Sequence, residues 1–420
     1  MQNEKQDQSA MMKFIMHIHP PKLSKKSMAF NRTFGLGGIS ALLFVVLAVT
    51  GVLLRFKYLP TVSSAYHSIV NLQDYFVFGR LLRNMHYWAA NLMILVVVAH
   101  LVRVVFSNAL YYERAKNWRY GIVMLLLTFV FAFTGYLLTW DQLSYWAVTI
   151  MLSLLEYIPF VGSSLAEWVK GGEHIGQQTL LTFYSLHTGI LPLLLICLMM
   201  VHFYLVRKAK GVAYTLHEGE VDEQVPAYPD LVRVEALAAL IVLVLLILLS
   251  ICFNAPLKEM ANPEITPNPS KAPWYFIGLQ EMLLHFHPLI VLCIPIVTLW
   301  ALFKMPVLKC AKEKVGQWFS GEENKPILRT QAVLAAAWTF ALAIVDDLLR
   351  AFMHLETSSW YGVLIFIVYL IPLLFIWRKY QGEDKNKCLL MVFTFISVSY
   401  VAFSVLAFFF RAEGMTLIFL

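Results

Sequence analysis

The stretch Arg83-Asn84-Met85-His86-Tyr87-Trp88-Ala89-Ala90-Asn91-Leu92-Met93-Ile94-Leu95-Val96-Val97-Val98-Ala99-His100-Leu101-Val102-Arg103 places two histidines, 14 residues apart, inside an apolar run of bilayer-crossing length. A polar or metal-binding side chain at that depth is costly and marks a functional position. A second such run, from Tyr184-Ser185-Leu186-His187 to Val201-His202-Phe203, holds two more histidines 15 residues apart. At about 100° per residue, 14 steps return to within ~40° of the starting face and 15 steps to within ~60°, so each helix shows both histidines to one neighbour. At ~1.5 Å per residue the two levels are ~21–22 Å apart, which fits inside a ~30 Å hydrocarbon core. Neutral imidazole is an axial ligand for haem iron, and two helices offering two ligands each at matching depths describe two bis-histidine haems stacked across a membrane. Both helices run inward from outside, which pairs His86 with His187 at the outer level and His100 with His202 at the inner. Four unrelated polar residues hydrogen-bonded between helices would not need the matched spacing.

Glycines repeat the interval on two other helices. Gly37 and Gly51 are 14 apart, and so are Gly121 and Gly135. A residue without Cβ lets a flat macrocycle approach the backbone, so four helices are expected to enclose two porphyrins, with ligands from two and clearance from two. Glycine in membrane helices also serves plain helix packing. Arg83 and Arg103, each one turn from a histidine, are placed to reach haem propionates, as are Arg114, Arg207 and Lys208 on the inner side.

The composition, 59% hydrophobic and 14% charged over 420 residues, is that of a polytopic membrane protein. Apolar runs near 38–56, 83–106, 121–139, 184–206, 233–253, 288–305, 332–351, 361–377 and 388–410 predict an all-α fold of nine transmembrane helices. The polar, basic first 27 residues carry no apolar core followed by a cleavage site, and no removable signal peptide is expected. Lys22, Lys25 and Lys26, the loop with Arg114, Lys116 and Arg119, and the loop with Arg207, Lys208 and Lys210 fall on one side. The later loops 304–325 and 378–387 join them, which predicts a cytoplasmic amino terminus and an external carboxyl terminus. This inside bias accounts for the net charge of +7, so no nucleic-acid partner is called for. Cys197, Cys252, Cys293, Cys310 and Cys388 form no CxxC or CxxCH pair, which argues against disulfides, zinc and covalent c-type haem.

The four histidines and the glycine pairs are joined by Thr139-Trp140-Asp141-Gln142 with Tyr145-Trp146, by Phe183-Tyr184-Ser185-Leu186-His187, and by Lys271-Ala272-Pro273-Trp274-Tyr275-Phe276. With these motifs the chain resembles the cytochrome b family of quinol:cytochrome c oxidoreductases. The 15-residue step resembles its chloroplast and Gram-positive branch, with the two parts fused. Residues 1–215 are similar to the four-helix haem-binding part and 226–420 to the quinol-site part, across a polar linker from Gly211 to Pro229. The resemblance implies two non-covalent b haems. Quinol would be oxidised at the outer side, with one electron passing to a Rieske iron–sulfur protein and a c-type cytochrome. The other would cross through the haems to reduce a quinone inside, in a homodimeric complex of the bacterial plasma membrane and its lipid. The outer quinol pocket would draw on Tyr136, Trp140 to Gln142, the segment 150–175 with Pro159-Phe160-Val161-Gly162-Ser163, and Trp274, Tyr275 and Glu281.

The chain departs from the family pattern in several places. The chain reads Ala272-Pro273-Trp274-Tyr275 where the family has Pro-Glu-Trp-Tyr or Pro-Asp-Trp-Tyr, so Pro273 stands directly before Trp274 and the proton-accepting carboxylate is missing there. The Lys-Ala-Pro-Trp-Tyr-Phe version followed by Gly-Leu-Gln-Glu resembles bacterial subunits that use menaquinol. Glu281, two helical turns beyond Trp274, is the candidate replacement, with His285 and His287 as alternatives. Gly35 stands where a branch cysteine tethers a third haem, so no covalent third haem is expected. Segment 326–380 reads as an added helical pair, in which Asp346, Asp347 and Arg350 form either a salt-bridged helix end or a proton route. A di-haem conduit that reduces quinone without a Rieske partner is the second reading. A cofactor-free transporter is the remote one, and neither internal repeats nor broken midplane helices support it.

Overall fold

A computed structural model describes residues 22–418 apart from 29, 215–220, 222, 269, 309–313, 358 and 381–384. Cys310 and parts of the loops 211–229, 304–325 and 378–387 lie outside the described residues. Fourteen helices position the chemistry: α1 Leu36–Arg55, α2 Ala65–Tyr75, α3 Gly79–Phe106, α4 Ala115–Leu137, α5 Gln142–Ser153, α6 Gly162–Lys170 and α7 Gln177–Ser185. They continue with α8 Leu191–Lys208, α9 Asp230–Cys252, α10 Ile277–His285, α11 Pro288–Lys304, α12 Lys325–Met353, α13 Trp360–Tyr380 and α14 Lys385–Phe409. Among the described residues nine helical segments are long and apolar enough to cross a membrane, and each of the nine predicted runs overlaps one of them, overrunning its end by at most two residues. Large apolar side chains on the outer faces, such as Leu237, Leu240, Ile241, Val244 and Leu245 on α9, stay exposed. Lipid provides the cover they require, and intrahelical hydrogen bonds satisfy the backbone along the spans except where Pro295 in α11 and Pro372 in α13 withhold an N–H.

In the amino-terminal half, α1 packs along α3, α8 along α4, and α3 meets α4. Because α3 is 28 residues long, it extends ~42 Å and carries both of its histidines within the span. The carboxyl-terminal half adheres through α9 against α3 and α1, and through α11 against α4. Buried polar side chains fix that seam, as expected where lipid supplies no hydrophobic drive between helices. Asn84 Nδ2 donates to the Ser250 carbonyl at 2.9 Å and Trp118 Nε1 to the Leu302 carbonyl at 2.6 Å. One element escaped the all-α expectation. Strands β1 Lys22–Ser24 and β2 Gln224–Pro226 pair antiparallel, Leu23 opposite Val225, and tie the segment before α1 to the polar linker.

Helices α12 and α13 form the predicted carboxyl-terminal pair, with α14 packed against α12, α13 and α10. The core here is aromatic. Phe286, Phe403 and Phe395 are fully buried and pack with tilted rings around Tyr369.

Candidate functional site

His86 and His187 face each other across the bundle, with ring centroids 6.3 Å apart and planes at 69°. Two metal–nitrogen bonds of about 2 Å and two ring radii of about 1.1 Å would span ~6 Å, so the separation suits an iron held between the rings. Hydrogen bonding orients both rings. Thr50 spends its hydroxyl proton on the Val46 carbonyl (2.7 Å) and therefore accepts from His86 Nδ1 at 2.9 Å. His187 Nδ1 lies 3.1 Å from the Phe131 carbonyl and 3.3 Å from the Thr134 hydroxyl, which itself donates to Val130. With Nδ1–H fixed in each ring, Nε2 is left bare, the tautomer a metal ligand requires. Replacing Thr50 with Val is expected to leave the fold intact and to weaken retention of the outer haem by ~10–100-fold. Haem content after dialysis reads this; retention equal to the unsubstituted protein would contradict it.

At the inner level His100 and His202 line one cavity of about 740 Å³, a volume in the range of small-molecule sites. Among the described residues the buried Nδ1 of His100 has no hydrogen-bond partner. Gly37, Gly121, Arg103, Arg114 and Arg207 line the same cavity, which reaches Gly35 and Glu235. Arg114 also donates to the Gly211 (2.6 Å) and Ala209 (2.9 Å) carbonyls. Arg83 donates to Gln73 Oε1 at 2.7 Å and to the carbonyls of Ala255 and Pro256, pinning the loop after α9.

Each of the four paired glycines stands against a histidine ring. A Cβ on Gly51 would stand 3.3 Å from His86 Cε1, on Gly37 3.6 Å from His100 Cε1, and on Gly121 3.8 Å from His202 Cε1. On Gly135 it would stand 2.5 Å from His187 Cε1, closer than any real Cβ contact. Each histidine rim thus rests against one glycine of the neighbouring helix, α1 supporting α3 and α4 supporting α8.

The 15-residue step has a local cause. Leu186–Ile190 form a single π-turn that absorbs the extra residue and returns His187 and His202 to one face. Pro192, in the first turn of α8, has no N–H for the Thr188 carbonyl, which favours the widened turn there. The long step and the proline are the signals that point to it.

On the outer side, Tyr136 lies within electrostatic range of Asp141, Tyr275 and Tyr87. Trp274, partly exposed, donates from Nε1 to Asn91 Oδ1 at 2.7 Å, a contact to α3 that sequence reading missed. Asp141 is committed to backbone. Its Oδ1 caps α5 by accepting from Ser144 N (2.9 Å) and its Oδ2 accepts from Lys258 N (3.1 Å), so it acts as a helix cap. Phe160, Val161 and Trp168 in and before α6 are exposed apolar residues on this side.

Glu281 is fully buried. Arg411 Nε lies 2.9 and 3.0 Å from its two oxygens, and Arg411 Nη2 also pairs with Oε1. His285, equally buried, sets Nε2 at 3.2 Å from Glu281 Oε1 and Nδ1 at 2.6 Å from Asp346 Oδ2. Arg350 pairs with Asp346 (3.1 Å) and with Asp347, Arg411 Nη1 reaches Asp347 Oδ2 at 2.7 Å, and Tyr361 donates to Asp346 Oδ1 at 2.6 Å. The helix-end salt bridge expected of Asp346, Asp347 and Arg350 is therefore present and extends to α10. Burial alone would push the Glu281 carboxyl up, yet hydrogen bonds from His285 and Arg411 hold it below its ordinary value. Burial alone would likewise strip the His285 proton, but Asp346 and Glu281 outweigh it and raise its proton affinity.

The family model described as Cytochrome b/b6/petB matches residues 22–210. Cytochrome b6 of Synechococcus elongatus is 42% identical over 178 residues, covering 42% of this chain and 83% of the relative. Cytochrome b6 of Prochlorococcus marinus is 43% identical over 178 residues, with 42% and 82% covered. In three dimensions the chain superposes on a chain of a hyperthermophilic respiratory Complex III with TM-score 0.69 and 22% identity, covering 94% of this chain and 98% of that one. The motifs, the fold and the b6 relatives agree, and the chain belongs to the cytochrome b/b6 family.

Proposed function

We propose that this chain is the di-haem, quinol-oxidising subunit of a cytochrome bc-type complex in a bacterial plasma membrane, its amino terminus cytoplasmic. The observation that carries the reading is the facing of His86 and His187, each with Nδ1 engaged and Nε2 free for iron. Bound at the two levels, haems b would supply one-electron transfer across the membrane. His86 and His187 would hold the outer group, His100 and His202 the inner. Arg103, Arg114 and Arg207 line the inner cavity and offer charge to its propionates. Outer quinol, with menaquinol favoured by the Ala272-Pro273-Trp274-Tyr275 sequence, would sit beside Tyr136, Trp274 and Tyr275. Glu281 is proposed as its proton acceptor in place of the acid missing before Trp274, where Pro273 stands. A Rieske iron–sulfur protein and a c-type cytochrome are the proposed electron partners, in a dimeric complex.

The tight pairing of Glu281 with Arg411 favours a second reading, a di-haem conduit that reduces quinone without a Rieske partner. An oxidant pulse separates the two. If quinol gives up its two electrons to different acceptors, oxidising the high-potential partner in the presence of quinol should increase reduced b-type absorbance. A pulse that only oxidises the b absorbance would support the conduit and contradict the first reading.

A further inference from the structure

The cluster around His285 is assembled from four elements: Glu281 and His285 on α10, Asp346, Asp347 and Arg350 on α12, Tyr361 on α13, and Arg411 just after α14. These are the titratable and charged groups that face His285. Three carboxylates stand against two guanidiniums, and the site is neutral when the imidazole carries one extra proton. His285 Nδ1 points at Asp346 Oδ2, and Nε2 lies 3.2 Å from Glu281 Oε1 and 3.3 Å from Arg411 Nη2, so a protonated ring has a carboxylate to donate to from each nitrogen. A net charge left in such an interior is strongly disfavoured, so the proton count of the cluster is fixed by its geometry.

We propose that Glu281, His285 and Asp346 form a buried proton relay that carries the proton of quinol oxidation from α10 to α12 and out past Tyr361. The inference rests on Glu281 being the outer proton acceptor. A proton arriving on Glu281 makes the cluster positive by one. The imidazolium then gives its Nδ1 proton to Asp346, which passes it outward, and neutrality returns with Glu281 protonated and the ring neutral. A half-turn of the ring sets its bare nitrogen against Glu281, which hands its proton over and restores the imidazolium. One proton enters at Glu281, one leaves from Asp346, and no electron moves. Arg411 stays neutralised throughout by Asp347, and Arg350 keeps Asp346 ionised between transfers.

Asp346→Asn and the gentler Tyr361→Phe test the relay in the intact membrane complex, with the b-haem spectrum as the check on folding. Removing the Asp346 charge lowers the proton affinity of His285, so the alkaline limb of the quinol-oxidation profile should move to lower pH by about 1–3 units. Tyr361→Phe should act on the same limb without loss of haem. Isotope-edited infrared spectra of ¹⁵N-histidine protein, with His285→Gln subtracted, should show an imidazolium at neutral pH. This readout needs no turnover, so it judges the relay even if the complex oxidises no quinol. Profiles of both variants that superpose on the unsubstituted enzyme, or a neutral His285 at pH 7, would overturn the relay. If Asp346→Asn loses haem, Tyr361→Phe and the infrared signature decide it.

Discussion

Replacing His187 with Ala is expected to abolish quinol oxidation and to remove one of two b-type components from the reduced-minus-oxidised spectrum. Only the outer component should vanish, because His100 and His202 line a separate inner cavity. The neighbours of His187 cannot substitute for it. Phe131, whose ring lies 5.5 Å from the imidazole centroid, and Thr134 offer no ligand nitrogen. Membrane spectra at two reductant potentials check this, and two intact components in the variant would refute the ligand assignment. Gly135 reports the same geometry indirectly, since any side chain there must displace the imidazole it abuts.

Arg411→Leu should be the most damaging change in the carboxyl-terminal half. It leaves Glu281, Asp346 and Asp347 against Arg350 and the His285 imidazolium, one buried negative charge uncompensated. Removing one partner of a buried ion pair costs about 3–5 kcal/mol. The loss should appear as a lowered unfolding temperature and easier proteolysis after α14. Adding Glu281→Gln removes the surplus charge, so the double variant should recover part of the loss; strict additivity would deny the coupling. Arg411→Lys should rescue poorly, because one ammonium cannot reproduce the paired contacts to Glu281 and Asp347.

The same cluster sets a pH window for stability. His285 binds its proton more tightly folded than the ordinary value of 6.5, so its contribution is complete below 6.5 and lost as pH rises through the raised value. Glu281 is held below the ordinary 4.5, so its contribution is present above 4.5 and lost as pH falls through the lowered value. Thermal unfolding should therefore weaken on the alkaline side in the unsubstituted protein and lose that limb in His285→Gln.

Sequence periodicity reveals much of this because bilayer thickness forces long apolar runs and because ligands on straight helices keep a fixed step. The nine spans and the four histidines are legible for that reason. The π-turn at 186–190 is legible only as an anomaly, since one inserted residue shifts the phase by 100° without altering the apolar run. The hydrogen bonds of Arg83 to the Ala255 and Pro256 carbonyls are not legible, because only the path of a loop some 170 residues away brings those acceptors to it. Arg411 is invisible as a partner of Glu281, 130 residues away, since no local pattern encodes that pairing.

Two haems gripped by His86 with His187 and by His100 with His202 are tested most directly by haem quantitation combined with low-temperature electron paramagnetic resonance of the oxidised, purified protein. Two low-spin, bis-imidazole haems per chain are the predicted result, the outer one strongly anisotropic because its ligand planes cross at 69°. A single haem per chain, or a high-spin signal from either level, would contradict it.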